Sequence, residues 1–316
     1  MNRSKIIIVT IGPSINEIQN IHHENYIYRI NGAHSDPNGI KSSIEEIRGK
    51  IKGAKILVDL PGNKIRTQNL NSPIEVKNGE EFFLDSRNTN YPDFLSFLQL
   101  GDEVYADDST LTFKVSGIDK GIIKFISYSY GFLKNNKGLH IRGIHDRIPF
   151  LFQKDKDIIE AINSLSIDFV GLSFVRDLDD IMIAKKLIND SINIISKIET
   201  KSAVNNLETI LNEVKYILID RGDLSSEVGL HKVPYYQDYI IEKSMFYSNK
   251  VFLATQFMKN MELNPIPSIS EVIDLYNTFK SSVYGIQLSE ETAIGKYPVE
   301  CLRMVNTILE ESIDKK

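Results

Sequence analysis

Three charged residues stand at spacings that can do chemistry: Lys197 and Glu199 in the run Ile194-Ile-Ser-Lys-Ile-Glu199, and Asp223 in Asp220-Arg-Gly-Asp-Leu224. Each lies just past a short apolar run of β character. Side chains alternate along a strand, so Lys197 and Glu199 project to one side and can share one ligand. A fixed cation and two carboxylates gathered together suit a divalent metal ion and a phosphorylated acid. Each residue also has an ordinary reading. Lys197 and Glu199 could form a structural ion pair, since structural networks also perturb charged groups. Asp223 could cap a helix by accepting backbone N–H bonds. Both roles are compatible there, because the amides of Gly222 and Asp223 at a helix N-terminus could take a substrate carboxylate while the Asp223 side chain takes the metal. Thr255, ending Val251-Phe-Leu-Ala-Thr255, could donate its hydroxyl to the same carboxylate or merely bond the backbone. Arg29, planar and permanently charged, suits a phosphoryl group; a surface salt bridge is its alternative.

Such residues need strands to place them. Eight short β-branched runs recur: Lys5 to Thr10, Tyr26 to Ile30, Lys55 to Asp59, Asp168 to Ser173, Asn193 to Lys197, Tyr216 to Asp220, Val251 to Thr255 and Gly285 to Leu288. They are nearly continuously apolar, as strands covered on both faces are, and most alternate with helical-period segments such as Asp155 to Ser164 and Leu178 to Ile188. This predicts an α/β chain closing into a (β/α)8 TIM barrel over residues 1–66 and 144–316, with polar groups gathered at the C-terminal strand ends. An open doubly wound sheet competes, but no Gly-rich dinucleotide turn follows the first strand. Between about Arg66 and Gly143 the alternation breaks into the strand-like runs Ile74 to Val76, Glu81 to Leu84, Glu103 to Ala106, Leu111 to Val115 and Ile122 to Ser127, separated by turn residues. A small all-β lid domain over 67–143, inserted after strand three, is expected.

The bulk properties exclude several classes. The 316-residue chain is 42% hydrophobic, enough for a full core. Its net charge of -5, from 37 basic and 42 acidic residues interspersed, offers no cationic face for nucleic acid. The opening apolar run before Gly12-Pro13 is too short for a signal peptide or a membrane span, so a cytoplasmic protein without membrane contact is expected. Cys301 is the single cysteine, and no His/Cys cluster has zinc spacing, so a metal here should be a hard cation held by oxygen. His22 and His23 read as solvated helix residues, and only His34 as a ligand contact.

Taken together, Thr10-Ile-Gly-Pro13, Arg29-Ile-Asn-Gly-Ala-His34, Asp59-Leu-Pro-Gly-Asn-Lys-Ile-Arg66, Tyr105-Ala-Asp-Asp108, Lys137-Gly138, Ser173-Phe-Val-Arg176, Ser196-Lys-Ile-Glu199, Arg221-Gly-Asp-Leu224, Ala254-Thr-Gln256, Asn264-Pro265 and Leu288-Ser-Glu-Glu-Thr292 resemble the pyruvate kinase family, in the family's order, over about residues 4–312. The resemblance implies a (β/α)8 barrel with a β lid after strand three, and a C-terminal regulatory domain that this sequence does not contain. It implies that Lys197 is the catalytic lysine, that Glu199 and Asp223 ligate Mg2+ (or Mn2+), and that Gly222, Asp223 and Thr255 hold the carboxylate of phosphoenolpyruvate or pyruvate. Arg29, Asn31, Asp59 and Arg66 fall at the family's phosphate and monovalent-cation corner; His34 and Lys137, with Asn31, fall near the nucleotide, ADP or ATP. Thr255, with a water relay, would protonate the enolate.

Departures from the family pattern sharpen the expectation. Ala33 and Leu60 remove hydroxyls from the potassium corner, while Lys64 stands where potassium-dependent members carry glutamate, so K+ is expected not to be required. Glu290 replaces a glycine, a type often kept for positive φ or close backbone approach, and Ile266 and Ile269 replace arginines. The leading expectation is an unregulated phosphotransferase, monomer or homodimer. A biosynthetic paralogue with another acceptor, an oxaloacetate decarboxylase or lyase, and a phosphoenolpyruvate-binding protein without turnover remain open beside it.

Overall fold

The computed structural model describes residues 5–15, 18–107 and 110–313; Asp108 of the Tyr105–Asp108 string lies outside them. Strands β1 (Ile6–Thr10), β2 (Tyr26–Asn31) and β3 (Lys55–Asp59) are followed, among the described residues, by seven lid strands. These are β4 (Ile74–Val76), β5 (Glu81–Asp85), β6 (Glu103–Ala106), β7 (Leu111–Asp119), β8 (Ile122–Ser127), β9 (Gly131–Leu133) and β10 (Leu139–His140). The chain then returns through β11 (Phe169–Leu172), β12 (Asn193–Ile198), β13 (Tyr216–Asp220), β14 (Lys250–Ala254) and β15 (Gly285–Leu288). Strands β1, β15, β14, β13, β12, β11, β3 and β2 pair in that order, all parallel, into a closed eight-stranded barrel.

Period-two alternation decides what faces where. Ile7 and Val9 join the outer layer packed under the helices, whereas Ile8, Ile27, Leu57, Phe169, Ile195, Tyr216, Leu218 and Phe252 fill the interior. Two residues further along five of these strands, on the same face, stand Thr10, Arg29, Asp59, Lys197 and Asp220, all buried. An apolar plug thus seals the barrel below a polar collar at the C-terminal ends, the rim where barrel chemistry resides.

Most crossovers are helices with legible ends. Helix Pro37–Lys50 starts on an Asp36 side chain that accepts from the Gly39 amide, carries Pro at its first turn, and buries Ile40, Ile44 and Ile47 at i, i+4 and i+7. Among the described residues between β1 and β2 the 3-10 turn Ile18–Ile21 is formed, and His22 and His23, although exposed, lie beyond it and are not helical. His22 Nδ1 instead lies 2.6 Å from the Tyr28 hydroxyl. The expected strands ending at Ser173 and Thr255 stop one residue earlier, because Phe174 and Thr255 both turn to positive φ, 56° and 73°.

The lid is a five-stranded antiparallel sheet, β10-β6-β7-β8-β5, with β4 and β9 paired separately. Its core stacks Phe82 on Phe125 at 5.2 Å and sets Phe82 edge-on to Phe113 at 4.7 Å. Ile65, Ile141, Ile144 and Ile148, from the two connecting segments, complete that core. The lid therefore shares its hinge residues with its own interior. Among the described residues no helix is long and apolar enough to cross a membrane.

Candidate active site

The collar is held by charges that neutralise one another. Lys197, 5% exposed, donates to Ser173 Oγ at 3.0 Å, and its Nζ stands 3.2 Å from Glu199 Oε2, 3.7 Å from Asp220 Oδ2 and 3.9 Å from Asp59 Oδ2. Burial alone would lower its pKa, but Asp59, Glu199, Asp220 and Asp223 outweigh burial and raise it, which favours the ammonium form. Arg29 donates from Nε and Nη2 to Asp59 Oδ2 (2.9 and 2.6 Å) and from Nη1 to Thr10 Oγ1 (2.9 Å), whose hydroxyl donates to the Leu288 carbonyl at 2.7 Å. Asp59 is held below the usual carboxylate range: burial opposes this, and Lys197 and Arg29 overcome it.

Glu199, Asp220 and Asp223 each offer an oxygen within 4.8 Å of the others. Glu199 Oε1 accepts the Phe174 amide at 2.7 Å, whereas its buried Oε2 accepts no hydrogen bond among the described residues. Burial raises the Glu199 pKa to about 8 against the pull of Lys197, with Asp220 and Asp223 adding to the rise. Asp223 moves the other way; despite burial, Lys64 and Lys197 hold it low. A Glu199 oxygen that is ion-paired to Lys197 but accepts no hydrogen bond among the described residues, beside two more carboxylates, all hard donors, fits a divalent cation of the Mg2+ class.

Other expected residues fall nearby with partners of their own. Lys64, grouped by sequence with Asn31 and Asp59, donates instead to Asp223 Oδ1 at 2.6 Å. Asn31 sits beside Asp59 in the β2–β3 register and its Oδ1 accepts the Ala33 amide. The Gly222 amide donates to Asp220 Oδ1 at 3.2 Å and Thr255 Oγ1 at 3.0 Å, and the Asp223 amide to Asp220 Oδ1 at 3.4 Å. Asp220 thus caps helix Arg221–Val228, the role that sequence had considered for Asp223. His34 is exposed on the turn after β2, with its pKa lowered by partial burial and by Arg66, Lys154 and Arg29. Lys137 is a lid residue paired with Asp107 at 2.6 Å. Glu290 opens helix Glu290–Ala293 without positive φ, so the backbone there makes no demand for glycine. Ile266 and Ile269 are 65% and 80% exposed.

Three residues that sequence reading left without a role belong to this constellation. Asp220 and Ser173 contact Lys197, and both had a visible signal, a polar residue ending an apolar run. Gly171 is the third. A Cβ there would lie 2.2 Å from Asp59 Oδ1, so only glycine admits the carboxylate that holds Arg29. A Gly171→Ala variant is expected to lose at least tenfold in turnover and, as overpacking does, about 1–3 kcal/mol of stability; steady-state kinetics and urea unfolding measure both. A β-branched residue at positive φ, as at Thr255, is likewise a strained conformation of the kind that collects at functional sites.

A parallel eight-stranded barrel, a β lid inserted after its third strand and a charged collar at the carboxyl rim define the class. The family model described as the pyruvate kinase barrel domain matches residues 1–302. The chain is 31% identical to the pyruvate kinase of Geobacillus stearothermophilus over 98% of its own length and 57% of that protein's. It is 30% identical to the Thermotoga maritima pyruvate kinase, over 99% of this chain and 72% of the relative, and 30% identical to that of Pyrobaculum aerophilum, over 96% and 70%. The chain belongs to the pyruvate kinase family, and it spans between 57% and 72% of the length of these relatives.

Proposed function

We propose that this chain moves the phosphoryl group of phosphoenolpyruvate to ADP, giving pyruvate and ATP, with Mg2+ or Mn2+ at Glu199, Asp223 and Asp220. One observation carries the reading: the buried Lys197 ammonium stands 3.2 Å from Glu199 Oε2, and that carboxylate shares a cluster of hard oxygen donors with Asp220 and Asp223. The names of the relatives point the same way.

Phosphoryl transfer from an enol phosphate spreads negative charge over the moving group and leaves an enolate, so positioned positive charge is the main catalytic resource. Lys197 presents its ammonium to the phosphoryl oxygens. Arg29 adds a planar cation whose orientation Asp59 and Thr10 fix, which spares reorganisation during the reaction. A divalent ion held by Glu199, Asp220 and Asp223 would supply Lewis-acid neutralisation of the same oxygens. The Gly222 and Asp223 amides and the Thr255 hydroxyl orient the substrate carboxylate by exchanging their present bonds to Asp220, Thr255 and the Ala254 carbonyl. Thr255, through water, delivers the proton to carbon. Asn31 and His34, with the cationic neighbours Arg66 and Lys154, and Lys137 from the lid, receive the nucleotide.

The test is metal-dependent formation of pyruvate and ATP from phosphoenolpyruvate and ADP, run beside other nucleoside diphosphates and small acids as acceptors. Phosphoenolpyruvate binding without single-turnover product would overturn the reading, as would metal-dependent oxaloacetate decarboxylation with no ADP phosphorylation. K+ independence is part of the proposal. Lys64 already sets an ammonium group on Asp223, within the collar that a monovalent cation would otherwise help neutralise. The rate is expected to be the same in K+ and in tetramethylammonium buffer; strong activation by K+ would refute this part alone.

A further inference from the structure

Outside the collar, at the hinge where the lid rejoins the barrel, the fold gathers His140 of β10, His145 of the return segment and Glu227 of helix Arg221–Val228, with one donor atom from each within 4.8 Å of the others. Spacing in the sequence gives no hint of this, since Glu227 lies more than eighty positions from either histidine. We propose that these three side chains form a second metal site, selective for a nitrogen-preferring divalent ion of the Zn2+ class.

The tautomer of His145 can be read from its partners. Asn63 Nδ2 donates to the Pro149 carbonyl at 3.1 Å, which turns Asn63 Oδ1 toward His145 Nδ1 at 2.7 Å. Nδ1 must therefore carry the hydrogen, leaving a lone pair on Nε2. That Nε2 is buried, belongs to a residue 3% exposed, and has no hydrogen-bond partner among the described residues. A ligating imidazole that donates its other N–H to a fixed acceptor is the usual outer-shell arrangement of a metal-bound histidine. The ring is held further by stacking on Phe174, with centroids 4.2 Å apart and planes 11° from parallel.

The other two donors are similarly prepared. His140 Nε2 is buried without a hydrogen-bond partner, although it lies 3.2 Å from Glu227 Oε1. Ligand bonds of about 2.0–2.1 Å in a tetrahedron put neighbouring donors about 3.4 Å apart, so this pair already stands at a ligand–ligand separation. Glu227, 7% exposed, is oriented by the Lys201 amide on Oε2 (3.1 Å). Two imidazoles and a carboxylate form a borderline-soft set that Mg2+ disfavours and Zn2+ or Co2+ favours, with water as the fourth ligand. Such an ion would tie the last lid strand to Glu227, one turn beyond Asp223 on helix Arg221–Val228.

The test uses the full chain with saturating Mg2+, which occupies the oxygen site, and Co2+ as the optical probe. One equivalent of Co2+ is expected to give intense visible d–d absorption of a four-coordinate, imidazole-bound ion, displaced stoichiometrically by Zn2+. His140→Ala, at a partly exposed residue, and Glu227→Gln should each weaken Zn2+ binding by at least tenfold in competition with a chromogenic chelator. Their circular dichroism and apo unfolding midpoints should match the parent. No saturable Co2+ band, or a band and Zn2+ affinity unchanged in His140→Ala, would overturn the proposal and leave the cluster a structural ion pair.

Discussion

A Lys197→Met variant is expected to lose on the order of 10³-fold in kcat for the proposed phosphoryl transfer to ADP, with a much smaller change in the KM for phosphoenolpyruvate. The asymmetry follows from position. The ammonium sits among carboxylates that favour its charged form, so in the proposed reaction its interaction would strengthen most as charge moves onto the transferring oxygens, while ground-state binding of the carboxylate would rest on other groups. Methionine keeps the volume and removes only the cation. It also leaves Asp59, Glu199 and Asp220 facing one another without their shared counter-ion, and breaking a buried pair in this way costs about 3–5 kcal/mol. Divalent ions should recover part of that loss, because Glu199 and Asp220 then have only the metal to neutralise them. Quench-flow and steady-state kinetics read the first effect, and urea unfolding with and without Mg2+ reads the second. A raised KM with unchanged kcat would show that Lys197 contributes uniform binding and would remove it from the chemistry.

The barrel was legible because its cause is local. Each strand is a short β-branched run, and the inward alternation from Ile195 to Lys197 or from Leu57 to Asp59 carries the chain from plug to collar. Those same runs exposed most of the candidate site, since a polar residue directly after an apolar strand is conspicuous. What could not be read was anything depending on approach between strands. Gly171 has meaning only because Asp59 occupies the space of its missing Cβ. Asp220 and Asp223, three positions apart, take different partners according to the turn between them, Asp220 the helix cap and Lys197, Asp223 the Lys64 ammonium, and composition does not specify which. Lys64 illustrates the same limit. Its motif placed it in a corner with Asn31 and Asp59, but its long flexible stem reaches Asp223, and the local charge balance decides where it goes. The hinge cluster is the extreme case, in which Glu227 meets His140 and His145 across more than eighty positions of sequence.

Asp223 carries the second large expectation, since one of its oxygens serves Lys64 while the residue also faces Glu199 and Asp220. Asp223→Asn keeps the shape and removes the charge. Disturbing even an outer partner of a metal ligand costs 10–100-fold in affinity, so loss of a ligating carboxylate should raise the Mg2+ half-saturation concentration by at least about 100-fold. Turnover at saturating Mg2+ should still fall, because the substituted amide no longer neutralises Lys64. In the proposed site the lysine, 2.6 Å from Asp223 Oδ1, would compete with the ion for that oxygen. Lys64→Met should therefore tighten Mn2+ binding, measured by electron paramagnetic resonance of the free ion, and should do so only while Asp223 is present. In the double variant the benefit disappears, and that non-additivity isolates the Lys64–Asp223–metal competition from general loss of positive charge. If Asp223→Asn binds Mn2+ as the parent does, the carboxylate cluster is a structural network around Lys197 and the metal belongs elsewhere on the rim.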